Sequence, residues 1–183
     1  MKWNEHYRLK GAHAIIGASK YHWLSYDDDK LREYYIRNQA AERGTRMHAV
    51  ASELIDLRLK MPGNDVTFNR YVNDAIAFRM KTEQILYFSE NCFGTADAIC
   101  FRKGKLRIHD LKTGVLPASM KQLEIYAAIF CLEYGYKPGD IEIELRIYQN
   151  DEVLVHNPTA DDILPIMDRI ITADKIIESM KGA

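Results

Sequence analysis

Three charged residues on two neighbouring predicted strands have the chemistry of a metal site. Asp97 lies in the apolar and β-branched run 93–101, and Asp110 and Lys112 lie in the run 105–112. Side chains alternate along a strand, so Asp110 and Lys112 leave the second strand on one face. If Asp97 lies alongside, two carboxylates meet beside an ammonium and repel each other unless a cation lies between them. Oxygen ligands of this kind favour Mg²⁺ or Mn²⁺.

A tight turn should bring these two strands together. Lys103 and Gly104 separate the two runs, and the second run ends at Thr113 and Gly114. This pattern predicts a hairpin. Alternation then places Leu106 and Ile108 on the face of Asp110, and the opposite face carries Arg107, His109 and Leu111.

The composition predicts one globular domain over residues 1–183. The chain is 47% hydrophobic and 28% charged, which is ordinary for a soluble protein. No apolar run approaches the ~20 residues of a membrane span, and residues 1–11 lack the apolar core of a signal peptide, so we expect a cytoplasmic protein. The three cysteines are widely spaced in apolar segments, which favours reduced core thiols over disulfides or a zinc site. A net charge of -1 means that any nucleic-acid surface must be a local basic patch.

Helices are predicted before the strands. An acid-rich start at Asp27 predicts one helix, residues 43–61 predict a second, and residues 66–81, capped by Asn64, predict a third. His48 lies at the edge of the apolar face of the second helix. Periodicity alone favours a buried core histidine over a metal ligand at this position.

The remaining elements complete an α/β order with a mixed sheet. A strand at 84–89 precedes the hairpin, a helix capped by Ser119 follows it, and a second hairpin turns at residues 150–151 before a last helix. On the helix after Ser119, Gln122 and Tyr126 are four residues apart and share a face. The order is helices, three strands, helix, two strands and helix.

Four segments, in this order and with these gaps, resemble the PD-(D/E)XK nuclease superfamily, specifically its RecB-like branch of exonucleases. The segments are RGTRMHAVASELI, GTADAI, LRIHDLKTG and QLEIYA. The resemblance extends from about Gly17 to Tyr126. It implies a restriction-endonuclease-like core with a central mixed sheet of about five strands, in αβββαββ order after an N-terminal helical segment, and a single nuclease domain.

The same resemblance implies a role for each matching residue. Lys112 is expected to act on the attacking water. Gln122 and Tyr126 are expected to shape the catalytic site and hold the DNA strand. The residues expected to bind Mg²⁺ or Mn²⁺ are His48, Asp97, Asp110 and, through its backbone carbonyl, Leu111. The resemblance thus makes His48 an expected metal ligand, whereas periodicity alone favours a buried core histidine.

Two departures from the family pattern limit what carries over. Ala96 stands where the superfamily motif has proline, as is usual in the RecB-like branch. Some relatives hold an iron–sulfur cluster on a cysteine set that Cys92, Cys100 and Cys131 do not reproduce, so no cluster is expected. The chain also lacks the phosphate-binding loop of a helicase.

Charged residues outside this set have two interpretations. A local basic lining for DNA could be formed by Arg43, Arg46, Lys103, Lys105, Arg107 and Lys121. Alternatively, these residues are scattered solvated charge. Glu142 and Glu144 alternate with apolar residues, which predicts a strand with one solvated acidic face.

The leading functional prediction is a Mg²⁺- or Mn²⁺-dependent DNA exonuclease of recombination, repair or phage replication. One alternative is a structure-specific or nicking endonuclease that uses the same site. The other is a non-catalytic module that binds DNA or a recombination partner, although such a module gains nothing from an uncompensated carboxylate pair. The expected partners are DNA and a single-strand annealing or recombination protein. An oligomer is compatible with the sequence, and no membrane association is expected. The expected location is the cytoplasm of a bacterial or phage-infected cell.

Overall fold

The computed structural model describes residues 5–9 and 11–181, which fall into two compact units divided between Thr45 and Arg46. In the first unit, short 3-10 helices at Tyr7–Leu9 and Ala18–Ser25 precede helix α1, Asp28–Asp56. The C-terminal part of α1 belongs to the second unit, which also holds every strand. Within the described ranges, no helix combines the length and the apolar character that a membrane crossing requires.

Helix α1 runs without a break through Gly44, where the sequence predicted two separate helices. The predicted acidic start is confirmed, because Asp27 Oδ1 accepts a 2.8 Å hydrogen bond from the Lys30 amide. The interior glycine costs about 1 kcal/mol but leaves the backbone hydrogen bonds intact. The sequence around Gly44, which predicted the start of a second helix, therefore fits within one continuous helix.

Five strands form one sheet in chain order: β1 Lys81–Ser89, β2 Cys92–Arg102, β3 Lys105–Leu111, β4 Glu142–Gln149 and β5 Glu152–His156. Strands β3 and β4 are parallel and the other neighbours are antiparallel. The predicted α/β class with a mixed sheet is thus confirmed. Both predicted hairpins are present, and their turns at 103–104 and 150–151 have the positive φ angles that tight hairpin turns need.

Three further helices are α2 Thr67–Phe78, α3 Lys121–Tyr134 and α4 Ala160–Lys181. Helices α2 and α3 pack on the sheet, and α4 packs on α3. Helix α2 is shorter than predicted, and its cap is not Asn64. The Thr67 amide and hydroxyl instead donate to Asp151 Oδ1, at 2.8 and 3.0 Å, from the β4–β5 turn. This cap comes from a residue 84 positions away and could not be found by local sequence patterns.

The sheet has a core on each face. The α3-side core contains Leu106 and Ile108 with residues of α3 and α4. The α2-side core contains Leu111 with residues of α2 and the C-terminal part of α1. The alternation predicted for β3 is therefore confirmed. The thiols of Cys92, Cys100 and Cys131 are all free, as expected.

Strands β1 and β2 change faces at one shared position. Ala96 packs in the α3-side core and Ala98 in the α2-side core, although residues two apart normally share a face. The register places Asp97 between these two, opposite Glu83 of β1. Glu83 has φ +46°, a left-handed conformation that costs a residue other than glycine about 1–3 kcal/mol. The reversal therefore happens at two facing carboxylate residues.

Candidate metal centre

One imidazole and two carboxylates meet where α1, β1 and β2 converge. His48, Glu83 and Asp97 each offer a ligand atom, and these atoms all lie within 4.8 Å of one another. His48 Nδ1 lies 3.2 Å from Asp97 Oδ2. The hydrogen bond and the charge of Asp97 raise the pKa of His48 above its usual value, although partial burial opposes the shift. A nitrogen and carboxylate oxygens at this spacing can hold one divalent cation.

Asp97 is held in place by its own sheet. Its Oδ2 accepts a 3.0 Å hydrogen bond from the Leu111 amide on β3, in addition to its contact with His48. The Leu111 amide thus fixes the orientation of this carboxylate. The sequence resemblance assigns a role to the carbonyl of Leu111 and not to its amide. The other carboxylate oxygen, Oδ1, makes no hydrogen bond in the described part of the chain.

Asp110 lies opposite Asp97 in the β2–β3 register, one position beyond the Ala98–His109 pair. Its side chain is only 4% exposed. Lys112 Nζ lies 3.0 Å from each oxygen, but only Oδ1 receives a hydrogen bond, so within the described ranges Oδ2 is buried without a donor. Burial, and then the charge of Asp97, raise the pKa of Asp110. A buried oxygen without a donor is costly, and a cation would offset that cost.

A chain of hydrogen bonds links Asp110 to helix α3. Lys112 Nζ donates to Gln122 Oε1 at 2.9 Å, and Gln122 Nε2 donates to Tyr126 Oη at 3.1 Å. The sequence placed Gln122 and Tyr126 on one helical face, and the structure joins them directly. Gly94 makes room for this arrangement, because a Cβ at residue 94 would lie 2.8 Å from Tyr126 Cε1.

Three of the six basic residues expected near DNA, namely Lys105, Arg107 and Lys121, contact glutamates. Lys105 contacts Glu144 at 3.0 Å, and Lys121 contacts Glu124 at 2.6 Å. Lys103 is exposed in the β2–β3 turn, and Arg46 is exposed at the start of the second unit. Arg43 lies in the first unit. None of these residues belongs to the group that holds His48 and Asp97.

Glu144 does not lie on a solvated face, contrary to the sequence prediction. It is buried, and its carboxylate receives Lys105 Nζ at 3.0 Å, Arg107 Nε at 3.2 Å and Arg146 Nε at 3.0 Å. The prediction was wrong because β4 pairs with β3 in parallel, which sets Glu144 beside Arg107. Alternation alone does not show whether the polar face of a strand is covered.

Glu83 is the site residue that sequence patterns missed. It follows Lys81 and Thr82 at the junction between α2 and β1, where a single acidic residue has no distinctive spacing. Its pKa is raised, first by desolvation and then by the charge of Asp97. Only the sheet register, which sets residue 83 opposite residue 97, brings it to the site.

Comparison of the sequence with known proteins gave no match. No protein-family model matches the chain, and no curated protein matches it in sequence.

Proposed function

We propose that this protein is a metal-dependent deoxyribonuclease that hydrolyses DNA phosphodiester bonds, acting as an exonuclease in recombination, repair or phage replication. The observation that carries the proposal is the buried Asp110 Oδ2, which receives no hydrogen bond from residues 5–9 or 11–181 and lies next to Lys112 and opposite Asp97. The Lys112 ammonium offsets part of the carboxylate charge, and a bound divalent cation would offset the remaining cost of burial. The sequence resemblance to RecB-like nucleases supplies the reaction class.

The donor set fits a divalent cation with oxygen ligands. Asp97 supplies a carboxylate to the group that it forms with His48 and Glu83. Asp110 lies outside that group of three and faces Asp97 across the β2–β3 register. When bound, Mg²⁺ or Mn²⁺ lowers the pKa of a coordinated water and offsets charge on the scissile phosphate. The choice between a hydrolase and a binding module thus depends on these four residues.

Lys112 is suited to position the attacking water. Its ammonium has three hydrogens, of which Asp110 and Gln122 accept two, leaving one for a water or a phosphate oxygen. The same two contacts hold the nitrogen at a fixed place before substrate arrives. In hydrolysis the water oxygen bonds to phosphorus and gives up a proton, while the leaving oxygen takes up a proton as its bond to phosphorus breaks.

Tyr126 is suited to hold the DNA strand. Its hydroxyl oxygen accepts from Gln122, so its own hydrogen remains free to donate to a phosphate oxygen. The proposed setting is the cytoplasm of a bacterial or phage-infected cell, with a single-strand annealing or recombination protein as partner.

The test incubates the purified protein with linear double-stranded, linear single-stranded and closed circular DNA, in Mg²⁺, in Mn²⁺ and in chelator. Asp110→Ala and Lys112→Ala should lower the cleavage rate by more than about a hundredfold. Lys181→Ala is the matched control, because it also removes a lysine that contacts a carboxylate. Its rate should stay within about twofold of the unmodified protein.

The circular substrate decides the mode of attack. An exonuclease degrades the linear forms and leaves the closed circle intact, whereas loss of the circle favours the endonuclease. If an intact, cation-binding protein cleaves none of the three substrates, the proposal fails and a binding module takes its place.

A further inference from the structure

Four cations line an open groove of about 530 Å³ along the β1–β2 edge of the sheet. They are Arg58, Arg79, Lys81 and Arg102, and all four are exposed. None of the four forms a salt bridge with any carboxylate among residues 5–9 and 11–181. In a chain with a net charge of -1, such a group is a local basic surface.

The contrast with the expected lining is direct. Lys105 and Lys121, which the sequence suggested for DNA contact, each already contact a glutamate. The groove cations come from positions that no motif marks: Arg58 follows α1, Arg79 caps α2, Lys81 begins β1 and Arg102 ends β2. These four cations therefore become neighbours only through the tertiary packing of the elements that carry them.

The groove leads away from the candidate metal centre. Lys81 lies two residues before Glu83 on β1, and Arg102 lies five residues beyond Asp97 on β2. At the rise of a strand, five residues span about 17 Å. Lys81 and Arg102 thus lie within about 17 Å of the centre along their strands.

Carboxylates are few around the groove. A neighbouring depression of about 270 Å³ shares Arg58, Arg79 and Lys81 and contains Asp56. The Asp56 carboxylate accepts a 2.9 Å hydrogen bond from the Thr82 hydroxyl. Desolvation, and then the charge and hydrogen bond of a second carboxylate, Glu133, raise the pKa of the groove residue Tyr134. Two carboxylates beside four cations still leave the surface positive.

The floor of the groove is apolar. Leu86, Ile99 and Phe130 line it, and Tyr134 stands at its rim with about half of its surface exposed. Cations that follow a backbone, together with an aromatic ring for a base, are the features of a single-strand site. An acidic peptide would use the cations but would gain nothing from the ring.

We infer that this groove binds a single nucleic-acid strand, the continuation of the strand held at the metal centre. The choice of a nucleic acid rests on the proposed function, but the binding itself requires neither cation nor cleavage. The phosphates contact the four cations, and a base stacks on Tyr134.

The test measures anisotropy of a labelled oligothymidylate in chelator, at several salt concentrations. The groove variant carries Arg58→Ala, Arg79→Ala and Arg102→Ala. The control carries Arg32→Ala, Arg70→Ala and Lys181→Ala, which remove the same number of positive charges from residues that contact carboxylates. The groove variant should bind about 10- to 100-fold more weakly, with a salt slope lower by about two, since each phosphate contact on a single strand contributes about 0.7.

Three further arms keep the result clear. Arg→Lys at the same three positions should restore most of the binding, which separates charge from folding. Tyr134→Leu should weaken binding by several-fold, as the loss of one stacked base predicts. Polyglutamate should compete only at much higher concentration.

Equal binding and equal salt slopes in the groove and control variants would overturn the inference, and so would equal competition by polyglutamate. The nuclease proposal can fail separately. If the unmodified protein cleaves no DNA but the groove variant binds the oligonucleotide more weakly than the control, the groove inference holds and the nuclease proposal fails. If the unmodified protein cleaves DNA but the groove and control variants bind the oligonucleotide equally well, the nuclease proposal holds and the groove inference fails.

Discussion

Two buried carboxylates on adjacent strands differ in how their charge is compensated. Glu144 on β4 contacts Lys105, Arg107 and Arg146. In the part of the chain that the structure describes, Asp110 on β3 has Lys112 as its one salt-bridge partner, faces Asp97, and keeps one oxygen without a hydrogen-bond donor. Both side chains are at most 10% exposed, so burial does not explain the difference.

The pKa directions follow these surroundings. Burial would raise the pKa of Glu144, but the hydrogen bond from Lys105 and the charges of Arg146, Lys105 and Arg107 lower it below its usual value. Burial raises the pKa of Asp110, Asp97 adds to the shift, and Lys112 opposes it. Glu144 therefore stabilises the folded protein, whereas Asp110 is retained at a cost that a cation can remove. A satisfied charge network indicates structure, and an unsatisfied one indicates a ligand.

The largest effect should come from neutralising each carboxylate in turn. Glu144→Gln leaves three cations around a neutral amide and should lower the free energy of unfolding by about 3 kcal/mol. Asp110→Asn removes a charge that Lys112 offsets only in part, so the unfolding free energy should stay the same or rise. Chemical denaturation at pH 7 measures both. Equal losses for the two variants would contradict the comparison.

Cation binding should stabilise only the protein that keeps the unsatisfied oxygen. Mn²⁺ at about a hundredfold over its Kd should raise the unfolding free energy by about 2.7 kcal/mol. The gain should vanish in Asp110→Asn and in Asp97→Asn but persist in Glu144→Gln. Thermal unfolding with and without the cation measures it, and an equal gain in all variants would place the cation elsewhere.

The backbone of Glu83 offers a smaller and sharper test. Glu83→Gly relieves a left-handed conformation and should stabilise the protein by up to about 1 kcal/mol, while it weakens Mn²⁺ binding. Lys103→Gly is the matched control, since Lys103 has φ +52° in a turn that lacks the three-residue cluster. It should stabilise without any loss of cation affinity. Calorimetric titration beside thermal unfolding separates the two effects.

The smallest effect concerns the cap of α2. Hydrogen bonds from the Thr67 amide and hydroxyl lower the pKa of Asp151. Because the folded pKa lies below the unfolded one, this carboxylate stabilises the protein above pH ~4 and its contribution is lost as the pH falls further. Asp151→Asn tolerates the left-handed turn, so it should lower the Tm slightly at pH 7, and this difference should shrink as the pH falls below about 4. A Tm difference that grows on acidification would contradict this assignment.

Local patterns in the sequence determined the elements and the face on which the residues of β3 lie. Alternation placed Asp110 with Leu106 and Ile108, and the turn residues located both hairpins. These signals succeed because strand pleating and turn geometry depend on residues a few positions apart. The break predicted at Gly44 was wrong because a lone glycine weakens a helix without ending it.

Only the tertiary structure decided which charges meet. The register of β1 on β2 brings Glu83 opposite Asp97, the parallel pairing of β3 with β4 compensates Glu144, and the β4–β5 turn supplies the cap of α2. The groove cations likewise come together from the ends of four separate elements. Electrostatic interactions depend on distance in space, and residues far apart in sequence become neighbours only when the sheet has formed.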